Sequence, residues 1–120
     1  MAIPTGSGSE VLKNSVVYNQ GAGEVDLIDL TVSGIWIATI LTIVVTNSHP
    51  TENGFFDIHI VSTSPAGDIK LVEKQASSAL STFIFNDRVV IADGQKLAFE
   101  RNGSNGGYDI ITSYILQDWT

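Results

Sequence analysis

The longest uninterrupted apolar stretch, Ile35–Thr46, reads IWIATILTIVVT: twelve residues without a charge, nine of them β-branched. Branching at Cβ stiffens χ1 and suits a pleated surface, so the stretch predicts a strand rather than a helix. Its apolar residues fall on both parities. That predicts a central strand covered on both faces, inside a sandwich or at a subunit contact. The neighbouring segments alternate. Phe55–Ser62 (FFDIHIVS) sets Phe56, Ile58 and Ile60 against Phe55, Asp57, His59 and Val61, and reads as a hairpin partner of the central strand. Glu24–Val32 places Asp26, Ile28, Leu30 and Val32 on one parity and Val25, Leu27, Asp29 and Thr31 on the other. Tyr108–Asp118 alternates throughout and reads as the closing strand.

Shorter strands are predicted at Glu10–Tyr18, Ile69–Lys74, Leu80–Phe85, Arg88–Ile91 and Gln95–Arg101. Turn chemistry separates them: NQGAG at Asn19–Gly23, NSHPTENG at Asn47–Gly54, TSPAGD at Thr63–Asp68, and NGSNGG at Asn102–Gly107. Helix fits only Val72–Ala79. About eight short strands in this rhythm predict an all-β fold, an antiparallel β-sandwich that is jelly-roll-like or immunoglobulin-like. Residues 1–9 are small and rich in Gly, Ser and Thr, and predict a flexible N-terminal arm; residues 10–120 predict a single domain.

Composition adds a partner. Only 16% of the 120 residues are charged, against about 25% in an ordinary soluble domain. The surplus of uncharged surface predicts a homo-oligomer, with a trimer as the expected form. Net charge is −7, and no Lys or Arg occurs between Lys13 and Lys70, where Glu24, Asp26, Asp29, Glu52 and Asp57 all lie. Phosphate recognition needs clustered cations, so nucleic acid is not expected as a partner. The absence of cysteine excludes disulfides, thiolate metal sites and cysteine catalysis. MAIPTGSGSE has no basic and apolar leader pattern, and Leu30–Val45 falls short of the roughly 20 residues a membrane helix needs. Neither secretion nor a membrane partner is expected.

Candidate chemistry is sparse. His49, Asp57 and His59 lie within eleven residues, but zinc requires three or four well-placed ligands, and the set reads as the wet face of a hairpin. Asp26 and Asp29, three apart on a strand, should point to opposite faces and guard a strand edge rather than act as an acid–base pair. Gly103, Gly106 and Gly107 suggest a phosphate loop, yet the Lys-Ser/Thr ending and the following helix are missing. No catalytic, cofactor-binding or metal residue is assigned, no cofactor is expected, and the chain reads as a non-enzyme. Phe55, Phe56, Phe83, Phe85 and Phe99 are expected in the core, Trp36 buried on the central strand, and Trp119 packed on the domain or a neighbour. Exposed on one face, Trp36, Trp119 and Tyr108 would instead form the sugar platform of a carbohydrate-binding module.

The opening MAIPTGSGSEVLK resembles the start of small virion proteins of tailed bacteriophages. The likeness continues through IATILTIVVTNS, FFDIHIVS and STFIFNDRVVIADGQKLAFERNGSNGG, with the turn, short apolar strand and x-x-G-x-x-L of that group present as NDRVVIADGQKLAF. Lys70–Leu80 departs from the pattern. The resemblance implies a compact all-β structural protein, located in the virion and made in the bacterial host cytoplasm. Within that group it implies a capsid decoration or cement protein that contacts the major capsid protein or other virion proteins. A tail, baseplate or fibre component is the alternative. No catalytic motif defines the group, so no functional residue is carried over from it.

Overall fold

The computed structural model describes residues 10–21, 23–31, 36–63, 66–102 and 107–118. The expected arm at residues 1–9, Trp119, Gly103 and Gly106 lie outside them. Nine strands follow in order: β1 (Glu10–Gln20), β2 (Gly23–Asp29), β3 (Trp36–Asn47), β4 (Gly54–Thr63), β5 (Ala66–Ser77), β6 (Thr82–Phe85), β7 (Val89–Ala92), β8 (Gln95–Asn102) and β9 (Tyr108–Asp118). They form two antiparallel sheets. Sheet A runs β1-β9-β3-β6, with β7 also on β3, and sheet B runs β2-β8-β4-β5. The β6 strand pairs with Ile43–Thr46 and β7 with Ile37–Ile40, so together they act as one broken edge strand. Eight effective strands divide four and four. β1, β3, β6/β7 and β9 lie in one sheet, β2, β4, β5 and β8 in the other, which is a jelly roll.

Two expectations give way here. The β4 strand is not a hairpin partner of β3. It lies in the opposite sheet between β5 and β8, and Ser48–Asn53 carries the chain across the sandwich. The possible helix at Val72–Ala79 is strand up to Ser77, because β5 pairs along the length of β4. Lys74 breaks any helical continuity with a left-handed φ of 48°.

The apolar run of β3 owes its double parity partly to a bulge. Its register against β9 shifts between Ile40 and Thr42, leaving Leu41 as the extra residue. Ala38 and Ile40 face the core before the bulge, and Ile43 and Val45 after it. The inward set thus moves from even to odd positions within one strand. The opposite face of β3 is only half-buried at Ile37, Thr39 and Val44.

The core between the sheets is aliphatic at one end and aromatic at the other. Phe56 stacks on Phe99 at 5.3 Å and meets Phe83 and Tyr108 edge-on at 5.4 and 5.7 Å. Offset and edge-on geometries match the ring quadrupoles. Phe83 and Phe85 are half-buried against this cluster, as is Trp36 against the core. Phe55 is not a core residue: it is 52% exposed, because the alternation of β4 turns it outward from sheet B.

Candidate interaction surfaces

The histidines and carboxylates singled out in the sequence do not converge. His49 organises the loop after β3. Its Nδ1 accepts the backbone N–H groups of Thr51 and Glu52 at 3.1 and 2.9 Å, and its own N–H donates to Asn47 Oδ1 at 3.1 Å. Two backbone donors thus occupy Nδ1. Asp57 and His59 lie on the outer side of sheet B, yet they are not wet: they are 5% and 1% exposed. Both sit on β4, flanked on each side by β5 and β8. Long side chains from those strands cover them, a consequence of sheet order that parity alone does not report. Asp57 accepts the backbone N–H of Lys74 at 2.5 Å and pairs with Lys70 Nζ at 3.6 Å. It thereby holds the β5 bulge at Lys74 in place. His59 lies opposite Lys70 on β5 and Ala98 on β8, with its Nε2 3.7 Å from Glu24 Oε2. Among the described residues, no three His, Asp or Glu side chains are grouped to hold a metal ion.

Asp26 and Asp29 also depart from expectation. A register shift between Asp26 and Ile28 places both on the outer face of edge strand β2 instead of on opposite faces. Asp26 pairs with Lys96 at 3.2 Å. Asp29 accepts the Thr31 hydroxyl at 2.5 Å and the Thr31 N–H at 2.9 Å. The hydroxyl bond, then the N–H bond, hold the Asp29 carboxyl below its ordinary 3.8, with burial opposing and Lys96 assisting. The Asp26 hydrogen bond and charge raise the Lys96 ammonium above 10.5.

Tyr108 is 1% exposed, so it cannot serve as a sugar platform. Its Oη shares a 2.5 Å hydrogen bond with Ser77 Oγ, and a Cβ on Gly54 would lie 2.6 Å from that oxygen. Gly54 is glycine because the tyrosine passes directly over it.

The two outer faces of the sandwich differ in charge. Sheet B carries Glu24, Glu100 and Asp57 in one cross-strand row, then Asp26 and Lys70, then Asp29 and Lys96. Sheet A carries rows that are almost free of charge. Val16, Ile111, Val44 and Ile84 form one continuous row over all four strands. Leu12, Ile115, Thr39 and Val90 form a second, four residues away along β1. Between them run Asn14, Ser113 and Thr42, the floor of a shallow trough of about 520 Å³ that Leu12, Leu41 and one cation, Lys13, also line. Beyond the apolar rows lie Glu10, Gln117, Ile37 and Ala92 at one end, and Asp109, Thr46 and Thr82 at the other, next to Tyr18. Leu12, Val16, Ile84 and Val90 are each more than half exposed. Composition points to uncharged surface but not to this face. Its signal is the cross-strand register, which joins residues as distant in sequence as Leu12 and Ile115.

No family model matches the chain, and no curated protein matches it in sequence. Solved structures match its fold. One, described as "Bacillus endospore appendages form a novel family of disulfide-linked pili", aligns with a TM-score of 0.55 at 12% identity, over 100% of this chain and 97% of its own. Another, "Crystal structure of infectious bursal disease virus VP2 subviral particle", aligns with a TM-score of 0.52 at 10% identity, over 93% of this chain and 33% of its own. The chain spans about a third of that viral protein, and at these identities what the two likenesses show is the fold: a jelly-roll sandwich of the kind found in a pilus subunit and a viral particle.

Proposed function

We propose that this protein is a non-enzymatic structural subunit of a tailed-phage virion, a capsid decoration or cement protein that works as a homo-oligomer. The observation that carries this reading is the outer face of sheet A, where described rows crossing four strands hold only Glu10 and Asp109 as charges. A face so poor in charge on a chain of net −7 is suited to burial against protein. The sequence resemblance to small phage virion proteins supplies the setting. Two fold neighbours, a pilus protein and a viral particle protein, are assembly subunits by their descriptions. Unlike disulfide-linked pili, this chain has no cysteine, so its contacts do not include disulfides.

A decoration protein adds buried area where capsid subunits meet. At roughly 25 cal/mol per Å², a few hundred Å² per joint is worth several kcal/mol before ordering costs. Particles lacking the protein should assemble but release their genome at a lower temperature, read with a dye that reports freed DNA. Identical release curves for intact and depleted particles would overturn the cement role and move the protein to the tail, baseplate or fibre.

A further inference from the structure

We infer that the outer face of sheet A packs against the same face of a second copy, across a two-fold axis that runs along the Asn14–Ser113–Thr42 row. This rests on the reading of the chain as an assembly subunit and specifies its self-contact. The argument is the order of the rows. A two-fold axis lying in the interface and parallel to them leaves each strand over its own equivalent and reverses the rows about the axis. Val16 then lies over Leu12, Ile111 over Ile115, and Ile84 over Val90, apolar on apolar, and Val44 lies over Thr39 with its methyl group. The polar row meets itself, with hydroxyls and amides that can each donate and accept. The two bulged Leu41 side chains meet in the trough.

Charge agrees with this arrangement. Glu10 comes over Tyr18, and Gln117 over Asp109, so neither carboxylate faces another. The same operation on sheet B, about its Asp26–Lys70 row, would lay Glu24 over Asp29 and Asp26 and Lys70 each over its own copy, with Glu100 over Lys96 as the one matched pair. Area agrees as well. Four strands about 4.8 Å apart and about 36 Å long give roughly 700 Å² in projection, close to the roughly 800 Å² per partner of a standard stable interface. Like residues opposing like across an axis is the signature of an isologous contact. These rows match in that way under a two-fold, so the geometry favours a pair over the trimer expected from composition.

The test uses the purified full-length chain. Light scattering with size exclusion, from low to high micromolar, should give the mass of two chains. Ile111→Asp should give one chain while keeping the parent circular dichroism, because that side chain is 46% exposed and its charge can hydrate in the monomer. Phe55→Asp, on the other sheet, should leave the pair intact. Because the chain has no cysteine, single-cysteine variants read the axis directly. Facing sheets lie about 10 Å apart, so Ser113→Cys should cross-link to itself through a two-carbon bismaleimide. Val16→Cys, displaced about 13 Å along the strands from its own copy, should not. A single-chain mass at high concentration, a three-chain mass, or a pair that survives Ile111→Asp would each overturn the inference. These outcomes are independent of the particle experiment: unchanged genome release would remove the cement role and leave the pair standing.

Discussion

Asp57 shows how far one side chain can depart from its parity. An acidic residue on the face away from Phe56, Ile58 and Ile60 reads as solvated, yet here it is buried and ties Lys74 into a left-handed bulge. Asp57→Ala should therefore cost about 1–3 kcal/mol in urea unfolding, the penalty for stranding a buried backbone donor. A neutral result would return Asp57 to the wet face. Ile43→Asp, at a fully buried position with no cation nearby, should be worse and leave little folded protein. Gly54→Ala should cost about 1–3 kcal/mol because its methyl group displaces Tyr108 from Ser77. Asp29 gives a pH signature. Its folded pKa is lowered, so its contribution is complete above 3.8 and lost as pH falls through the folded value. Thr31→Val should raise the Asp29 pKa toward 3.8 in an NMR titration. The gap in urea midpoint between variant and parent should narrow as the pH drops below that value.

At the scale of elements, alternation located the strands, and the bulges determined their consequences. Most boundaries lie within a few residues of the sequence reading, and Tyr108–Asp118 coincides with β9. Short-range pattern could not show that β4 crosses to the other sheet, since parity is the same in either sheet. Nor could it place Asp26 and Asp29 on one face, because the extra residue at Leu27 leaves no mark in composition. The apolar row on sheet A is illegible for the same reason: it is a property of register, not of any one strand. Leu41 offers a direct test. Deleting it removes the bulge and sends Ala38 and Ile40, or else Ile43 and Val45, to the outside. The deletion should abolish cooperative unfolding, while Leu41→Ala should cost only about 1 kcal/mol. A deletion variant with parent-like stability would mean that β3 carries no fixed phase.

The whole molecule divides its labour between its two sheets. The outer face of sheet B holds most of the paired charges, Asp57 with Lys70 and Asp26 with Lys96, and the outer face of sheet A the neutral rows. Sheet A also joins the distant parts of the chain. The β9 strand lies between β1 and β3, and a side-chain hydrogen bond links Glu10 to Gln117 across 107 positions. During synthesis, β1 and β3 emerge first and have no strand between them until β9 follows. Sheet B has all four of its strands once β8 is made, whereas sheet A lacks its middle until β9 follows. The face that accepts a second copy is thus the last surface of the described fold to come into existence. A second copy can therefore dock on this face only after β9 has closed sheet A, so self-association should follow folding of the sheet rather than accompany it.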